Sequence, residues 1–297
     1  MIHEGEVAVQ RRAGVRAPKM GSARVGAEIP DVAADFLSEQ PMIVLGAADE
    51  AGDLWASALY GWPGFVTALD DRTVAIDAVP GDLDPLAGLF EHGRDLGMIA
   101  IEPQTRRRMR VNGTAVRDGG RLVVHTEQVY SNCPKYIQGR RATGLFEAAE
   151  GTAVRGIELS AGQLDLVARA DTFFIATAAE GKGADVSHRG GAPGFVVAEG
   201  SRRLSFPDYQ GNSMYMTLGN LELDPRCGLL FWDFDGDRAL HVTGNARTDW
   251  DPDRAAGVPG AKRMVDVDVT GVVEVVGGQR LRWEFQEASA SNPQRSG

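Results

Sequence analysis

The sequence predicts a mainly β protein with short helices, built as two tandem copies of one small unit. Three observations carry this. Apolar residues come in short, strand-length runs, and 37 Gly and 14 Pro in 297 residues supply frequent turns between them. Hydrophobic residues make up 43% and charged residues 24%, a globular balance that excludes a disordered, collagen-like or coiled-coil chain. Five short segments also recur in the same order at a nearly constant spacing.

The recurrences set the element order. Met42-Ile43-Val44-Leu45 is matched by Thr172-Phe173-Phe174-Ile175, and Pro63-Gly64-Phe65-Val66 by Pro193-Gly194-Phe195-Val196, both 130 residues later. Arg72 to Ile76 is matched by Arg202 to Phe206 at the same spacing. Gly97 to Ile101 and Val111 to Ala115 are matched by Gly228 to Trp232 and Val242 to Ala246, now 131 residues on. One inserted residue accounts for the change. One such match is chance; five in order describe a duplication that divides the chain into residues 1–150 and 151–297.

Each copy reads alike. A first strand (Pro41 to Ala48; Thr172 to Ala178) leads through a glycine turn to a second, which runs into Pro-Gly-Phe-Val. A third strand follows Asp70-Asp71 or Gly200-Ser201. Helices are expected at Pro85 to Gly97 and at Ser213 to Leu223, where Met214, Leu218 and Leu221 share one helical face. Strands follow at Met98 to Ile101 and Gly228 to Phe234, then an alternating one around His241. Ala161 to Ala170 reads as a helix with Ser160 as its N-cap. Val129 to Ala149 has helical spacing, with Pro134 in a first turn or at a kink. Lys262 to Val269 and Gly271 to Phe285 read as two further strands, the second holding a Gly277-Gly278 turn. The tail from Ala288 reads as frayed or draped over the surface.

Charge narrows the function classes. A net charge of -10 argues against a nucleic-acid binder, and an anionic small ligand needs a local cluster of donors. No run approaches the roughly 20 apolar residues of a membrane span. The N-terminal residues, broken by Glu4, Glu6, Gln10, Arg11 and Arg12, hold no signal-peptide core. The expectation is a cytoplasmic protein with neither nucleic acid nor membrane as partner. Cys133 and Cys227 are too few for a disulfide framework, and the histidines lack metal-ligand spacing, so no metal is expected. No Gly-x-Gly-x-x-Gly after a strand and no Walker loop is present.

Ser187-His188-Arg189-Gly190-Gly191 stands out as an anion cradle, offering a hydroxyl, an imidazole, a guanidinium and backbone N–H groups that glycine leaves approachable. It also reads as a polar hairpin turn. Asn212 and Ser213 fall near the start of the expected helix, where an anion is favoured; Thr217 and Asn220 lie on it. Asn212 serves equally as an N-cap. In the first copy the corresponding residues are Ser57, Ala58, Leu59, Tyr60 and Gly61, with Asp82 at the place of Asn212. The first cradle has lost its cations, leaving Trp55, Tyr60 and Trp62 to pack or to cover a ring. Arg106-Arg107-Arg108 with Arg110 is either a solvated loop tip or a docking spot for an acidic redox partner.

Ala184 to Gly191, Pro193-Gly194-Phe195-Val196, Phe206-Pro207-Asp208-Tyr209-Gln210-Gly211-Asn212, Thr217-Leu218-Gly219-Asn220-Leu221 and Asp224-Pro225-Arg226-Cys227-Gly228 form a specific series. It resembles the pyridoxamine 5'-phosphate oxidase-like family of FMN-binding split β-barrels, from about Leu164 to Trp283 and more weakly over the first copy. Cys133-Pro134-Lys135 resembles a helix of that family. The resemblance implies two tandem six-stranded antiparallel split β-barrels, with FMN as cofactor in a groove where two barrels meet. It implies a phosphate held by Ser187, His188, Arg189, Gly190, Gly191, Asn212, Ser213, Thr217 and Asn220, with Lys135 reaching across or lying on the surface. Family members dimerise, so the tandem can supply both barrels itself, alone or with a further pairing into a homodimer. The family's Arg-x-Val-Leu-Leu-Lys strand is replaced here by Pro193 to Ala198, and its Ser-Arg-Lys clamp by Gly211-Asn212-Ser213. The expected activity is therefore an FMN-dependent oxidoreductase acting on a small molecule other than pyridoxamine phosphate. His188 is the candidate for proton transfer, because an unperturbed imidazole titrates near neutrality. Cys133 is either a redox thiol or structural. The alternatives are a haem-binding or haem-degrading barrel with His188 or His241 as axial ligand, a non-catalytic flavin carrier or sensor, and a deazaflavin-dependent reductase.

Overall fold

The computed structural model describes residues 2–16, 25–131, 133–147 and 150–294. In chain order the first half holds helices α1 (Glu4–Arg12) and α2 (Asp31–Glu39), then strands β1 (Met42–Ala48), β2 (Leu54–Tyr60), β3 (Val66–Ala68), β4 (Thr73–Ile76), β5 (Arg94–Glu102), β6 (Arg107–Asp118), β7 (Arg121–Ser131) and β8 (Gly139–Leu145). The second half holds β9 (Thr152–Gly156), α3 (Ala161–Arg169), β10 (Thr172–Ala179), β11 (Gly183–Gly190), β12 (Val197–Ala198), β13 (Arg203–Tyr209), α4 (Met216–Leu223), β14 (Arg226–Trp232), β15 (Arg238–Asp249), α5 (Pro252–Ala256), β16 (Ala261–Val276) and β17 (Leu281–Glu287).

The duplication is visible in the pairing. One sheet runs β2-β1-β5-β6-β7-β4-β3 and the other β11-β10-β14-β15-β16-β13-β12, the same order twice, with β9 added on β16. The registers agree too: Leu45 faces Ser57 as Ile175 faces Ser187, and Met98 faces Val111 as Leu229 faces Val242. Even a bulge repeats, at Asn112/Gly113 and at Thr243/Gly244. Each path counts seven strands, one more than the six expected, because the short β3 and β12 pair at the sheet edge.

Three apolar cores follow from strand alternation. In β1, Ile43 and Leu45 face the core of the first copy, while Met42 and Val44 face an interface core shared with Phe174, Ala176, Val186 and Leu230. In β10, Phe173 and Ile175 face the second copy's own core and Phe174 the shared one. Burial on both faces explains why these strands read as unbroken apolar runs. The two copies therefore pack sheet against sheet. A Cβ added at Gly97 of β5 would lie 2.6 Å from the Asp185 backbone of β11, and one at Gly228 of β14 would lie 2.6 Å from Trp55 of β2.

Several segments depart from the sequence expectations. Pro85 to Gly97 holds only a 3-10 turn at Leu89–Glu91 before β5 begins, where the second copy has α4. Val129 to Ala149 is not helical: β7 ends at Ser131 and β8 pairs with β17, an intersegment ladder that overrides local spacing. Residues 132, 148 and 149 fall outside the described set. Cys133-Pro134-Lys135 is likewise irregular rather than helical. Lys262 to Val269 and the start of the next stretch form the single strand β16, and the Gly277-Gly278 turn then leads to β17. The tail is anchored, with the Ser289 backbone N–H and the Asn292 amide both donating to Gln138 Oε1. The helix at Ala161–Arg169 forms as read, with the Ser160 hydroxyl accepting from the Gln163 N–H. Among the described residues no helix is long and apolar enough to cross a membrane.

The chain ends tie the halves together. α1 packs on α4, so closely that a Cβ at Gly5 would lie 2.1 Å from the Gly219 carbonyl oxygen. This buries Glu6, whose carboxylate accepts from the His3 backbone N–H at 2.9 Å. Burial pushes the Glu6 carboxyl up to about 7, the His3 N–H opposing and the nearby Asp185 charge adding to it. From the ordinary value of 4.5 up to about 7, the folded chain holds a proton the unfolded chain has released. Stability therefore falls as pH rises through that window, by at most about 3 kcal/mol. Glu6→Gln should lack this loss: its melting temperature should gain on the wild type between pH 5 and pH 8. Parallel curves for the two proteins would refute the assignment.

Candidate functional site

The site grows from two strands that meet between the copies. Strand β11 alternates, placing Asp185, Ser187 and Arg189 on one face and Val186 and His188 on the other. Strand β6 of the first copy delivers Arg108, Arg110 and Asn112 from one of its faces. Asp185 is the hub. It is buried, and accepts from Arg110 Nη1 at 2.9 Å, Asn112 Nδ2 at 3.2 Å, the Tyr130 hydroxyl at 2.9 Å and the Ser187 hydroxyl at 3.3 Å. Ser187 Oγ lies 2.6 Å from Thr217 Oγ1 of α4. Burial alone would pull the Arg110 guanidinium down, but Asp185 and Tyr130 outweigh it and raise it; burial raises the Tyr130 phenol.

Around this pair the charge does not balance. Four guanidiniums, Arg108, Arg110, Arg189 and Arg263, face only two carboxylates, Asp185 and Asp208, the latter paired with Arg263 at 3.5 Å. Burial, with Arg110 and Arg189 alongside, lowers Arg108 to about 9; burial likewise lowers Arg189 and raises Asp208. Arg108, Arg110 and Arg189 each keep a buried Nε without a hydrogen-bond partner, and so does His188 at Nε2. Buried cations and orphaned donors are costly unless something anionic completes them. Arg110, Arg189, Asp208, Asn212, Ser213 and Thr217 line a cavity of about 70 Å³. That space is large enough for a few waters or one small oxyanion.

His188 lies on the other face of β11, its Nδ1 3.1 Å from Arg108 and its ring edge-on to Phe174. Burial, then the charges of Arg108, Arg189, Arg140 and Arg110, drive its pKa well below the ordinary value. The expectation of an imidazole titrating near neutrality is thereby corrected: His188 is neutral at pH 7 because it is buried and because cations surround it.

A strap closes the groove. Residues 133–138 cross over Gly190 and Gly191, and Gln138 Nε2 donates to the Tyr136 and Gly191 carbonyls, both at 3.2 Å. Tyr136 stacks at 5.1 Å on Tyr209, and its hydroxyl donates to the Gln210 carbonyl at 3.1 Å. A Cβ at Gly190 would sit 2.0 Å from the Tyr136 oxygen, and one at Gly191 2.6 Å from Phe195. These two glycines therefore admit the protein's own backbone and the Phe195 ring, rather than leaving an open edge for a ligand. On the other side of Gln138 lies a cleft of about 380 Å³ walled by Arg140, Phe234 and Phe285.

The structure thus brings Ser187, Arg189, Asn212, Ser213 and Thr217 together, with His188 directly behind. Asn212 and Ser213 are not at a helix start: α4 begins at Met216 with Tyr215 before it, and Asn212 Oδ1 accepts from the Met214 N–H in a local turn. Asn220 points elsewhere, donating to Thr177 Oγ1 at 3.0 Å and meeting His3 Nε2 at 3.0 Å. Lys135 is half-buried on the strap. The residues missed by sequence reasoning are Arg108, Arg110, Tyr130, Asp185 and Asp208. The Arg106–Arg110 run is a loop tip only at its start: Arg106 lies in the turn between β5 and β6 and Arg107 just after it, binding Glu287 and Glu102 outside, while Arg108 and Arg110 turn inward. Period-two alternation through that run was the available signal.

A flavin mononucleotide can be tested against this site. The orphaned donors of Arg110 and Arg189 fit its phosphate; the cavity of about 70 Å³ that they line is small for its ring.

Comparison with known proteins finds similarity in the second half. Residues 161–286 match the family model described as Pyridoxamine 5'-phosphate oxidase. No curated protein matches the sequence. Among solved structures, HupZ of Group A Streptococcus is similar at 13% identity and TM-score 0.31, over 44% of this chain and 98% of its own. The FAD-binding protein of Mycobacterium smegmatis is similar at 17% identity and TM-score 0.29, over 41% and 99%. A FAD-binding protein of Mesorhizobium loti is similar at 14% identity and TM-score 0.30, over 41% and 96%.

Proposed function

We propose, from the match of residues 161–286 to the pyridoxamine 5'-phosphate oxidase family model, that the chain is an FMN-dependent oxidoreductase acting on a small molecule. One observation carries the reading: Arg110 and Arg189, each with a buried Nε lacking a partner, line a space the size of an oxyanion, and Arg108, with its own unpartnered Nε, adds a third positive charge beside them. Charge-assisted bonds from these guanidiniums, with Thr217 beside them, would hold the phosphate. Bound FMN would supply the hydride or electron chemistry, and the protein would bind and orient it. His188 would back the phosphate site as a neutral donor through Nε2–H, rather than as a base.

Titration of the purified protein with FMN, read by flavin absorption and fluorescence, tests this. Arg189→Ala should weaken FMN by about 2–3 kcal/mol, on the order of 100-fold, and Leu59→Ala in the first copy should leave it unchanged. Riboflavin, which lacks the phosphate, should bind as weakly to the wild type as FMN does to the variant. A protein that takes up no FMN, or equal losses from both substitutions, would sink the reading. Turnover of reductant with a substrate panel separates an enzyme from a carrier.

Haem is the second reading, and one observation favours keeping it: His241, unlike His188, lines an open cavity. A Soret band in place of a flavin spectrum would decide for it.

A further inference from the structure

The copies present a second groove, related to the first by the internal repeat. It is a cavity of about 480 Å³ between the edge strand β2, the strands β14 and β15, and the turn at Gly277 to Gln279. At the repeat spacing, His188 and Arg189 become Ala58 and Leu59, and Arg108 and Arg110 become Ala239 and His241. These three cations of the first groove are gone. Asp82 and Asp84 stand on the wall instead, Asp84 accepting from the Ser57 hydroxyl. A phosphate entering here would meet two carboxylates and none of those guanidiniums.

The cavity is nevertheless equipped. Gln279 is buried with both amide atoms unpartnered, and the buried Trp232 has an unpartnered indole N–H. Both residues line the space. His241 Nδ1 lies 2.8 Å from the Ala56 carbonyl. A carbonyl only accepts, so Nδ1 carries a proton, and in the neutral ring Nε2 is the acceptor. Tyr60 is fixed by donating its hydroxyl to the Gly278 carbonyl at 2.7 Å, and meets Trp232 edge-on at 5.8 Å. Buried amides and indoles are rarely left unsatisfied, so these groups call for a ligand or water with matching polarity. The side-by-side donor and acceptor of Gln279 match a ring edge carrying adjacent C=O and N–H.

We infer that this groove is a separate ligand site for an unphosphorylated planar nitrogen heterocycle, neutral or cationic, read by Gln279, Trp232 and His241. The inference stands independently of the flavin reading, since it uses none of the same side chains.

Lumichrome, a three-ring heterocycle with lactam edges and no phosphate, is the probe. Calorimetry on FMN-saturated protein should show one lumichrome site, accompanied by tryptophan quenching. Gln279→Leu should weaken it at least about tenfold, and Ala58→Trp, which fills the cleft from the opposite wall, should do the same. Arg189→Ala should leave lumichrome within twofold. Unchanged melting temperatures in the Gln279 and Ala58 variants exclude simple unfolding. Absence of lumichrome binding to the wild type, displacement of lumichrome by FMN, or equal loss in Arg189→Ala would each overturn the inference. If FMN fails to bind while lumichrome binding depends on Gln279, the flavin reading falls and this one stands.

Discussion

Asp185→Ala should cost about 3–5 kcal/mol of folding stability, measured as a drop in the urea midpoint. The carboxylate is the shared acceptor for Arg110, Asn112, Tyr130 and Ser187, all drawn into the interior between the copies. Without it, Arg110 stays buried next to Arg108 and Arg189 with no counter-charge on its own strand pair. Three neutral donors lose a partner as well. The penalty is mainly that of an uncompensated charge, so removing the charge should recover much of it. The double variant Asp185→Ala with Arg110→Met is expected to regain at least half the loss. A single-variant loss under about 1 kcal/mol would show that solvent reaches Arg110, contrary to the burial described.

Gly97→Val and Gly228→Val should each destabilise the protein by about 3 kcal/mol or more. Both residues lie where a strand of one copy crosses a strand of the other, and in both cases the atoms in the way are backbone. A side chain there cannot be absorbed by a rotamer change; the sheets must separate. Thermal melts should show a large drop for both. Gly120→Ala, at a site with nothing within 4 Å, should be neutral and serves as control. A large effect at one glycine and none at the other would contradict the symmetric packing.

The glycines also show where sequence reading stopped. Gly97 and Gly228 aligned in the repeat, and so did the strands around them; their shared role as contact points between copies could not be read, because alignment carries no partner. The strand order was legible because period-two patterns and turns are local. The strap was not: residues 133–138 have helix-like spacing, yet they run irregularly and hydrogen-bond to distant residues 191 and 210. At the candidate site, the cationic residues of β11 stood out by type, yet half the cluster came from Arg108 and Arg110, 80 residues earlier, in what read as a surface run. Gly190 and Gly191 were conspicuous for a reason that proved internal, the approach of Tyr136 and Phe195.

The matched registers of the two sheets have one more consequence. When two identical polypeptides assemble about a twofold axis, every substitution is made at both symmetry-related positions at once. Joining the halves in one gene releases that constraint. Arginines can be retained at one seam and exchanged for alanine, leucine and histidine at the other, while the contact that holds the seams together is left alone.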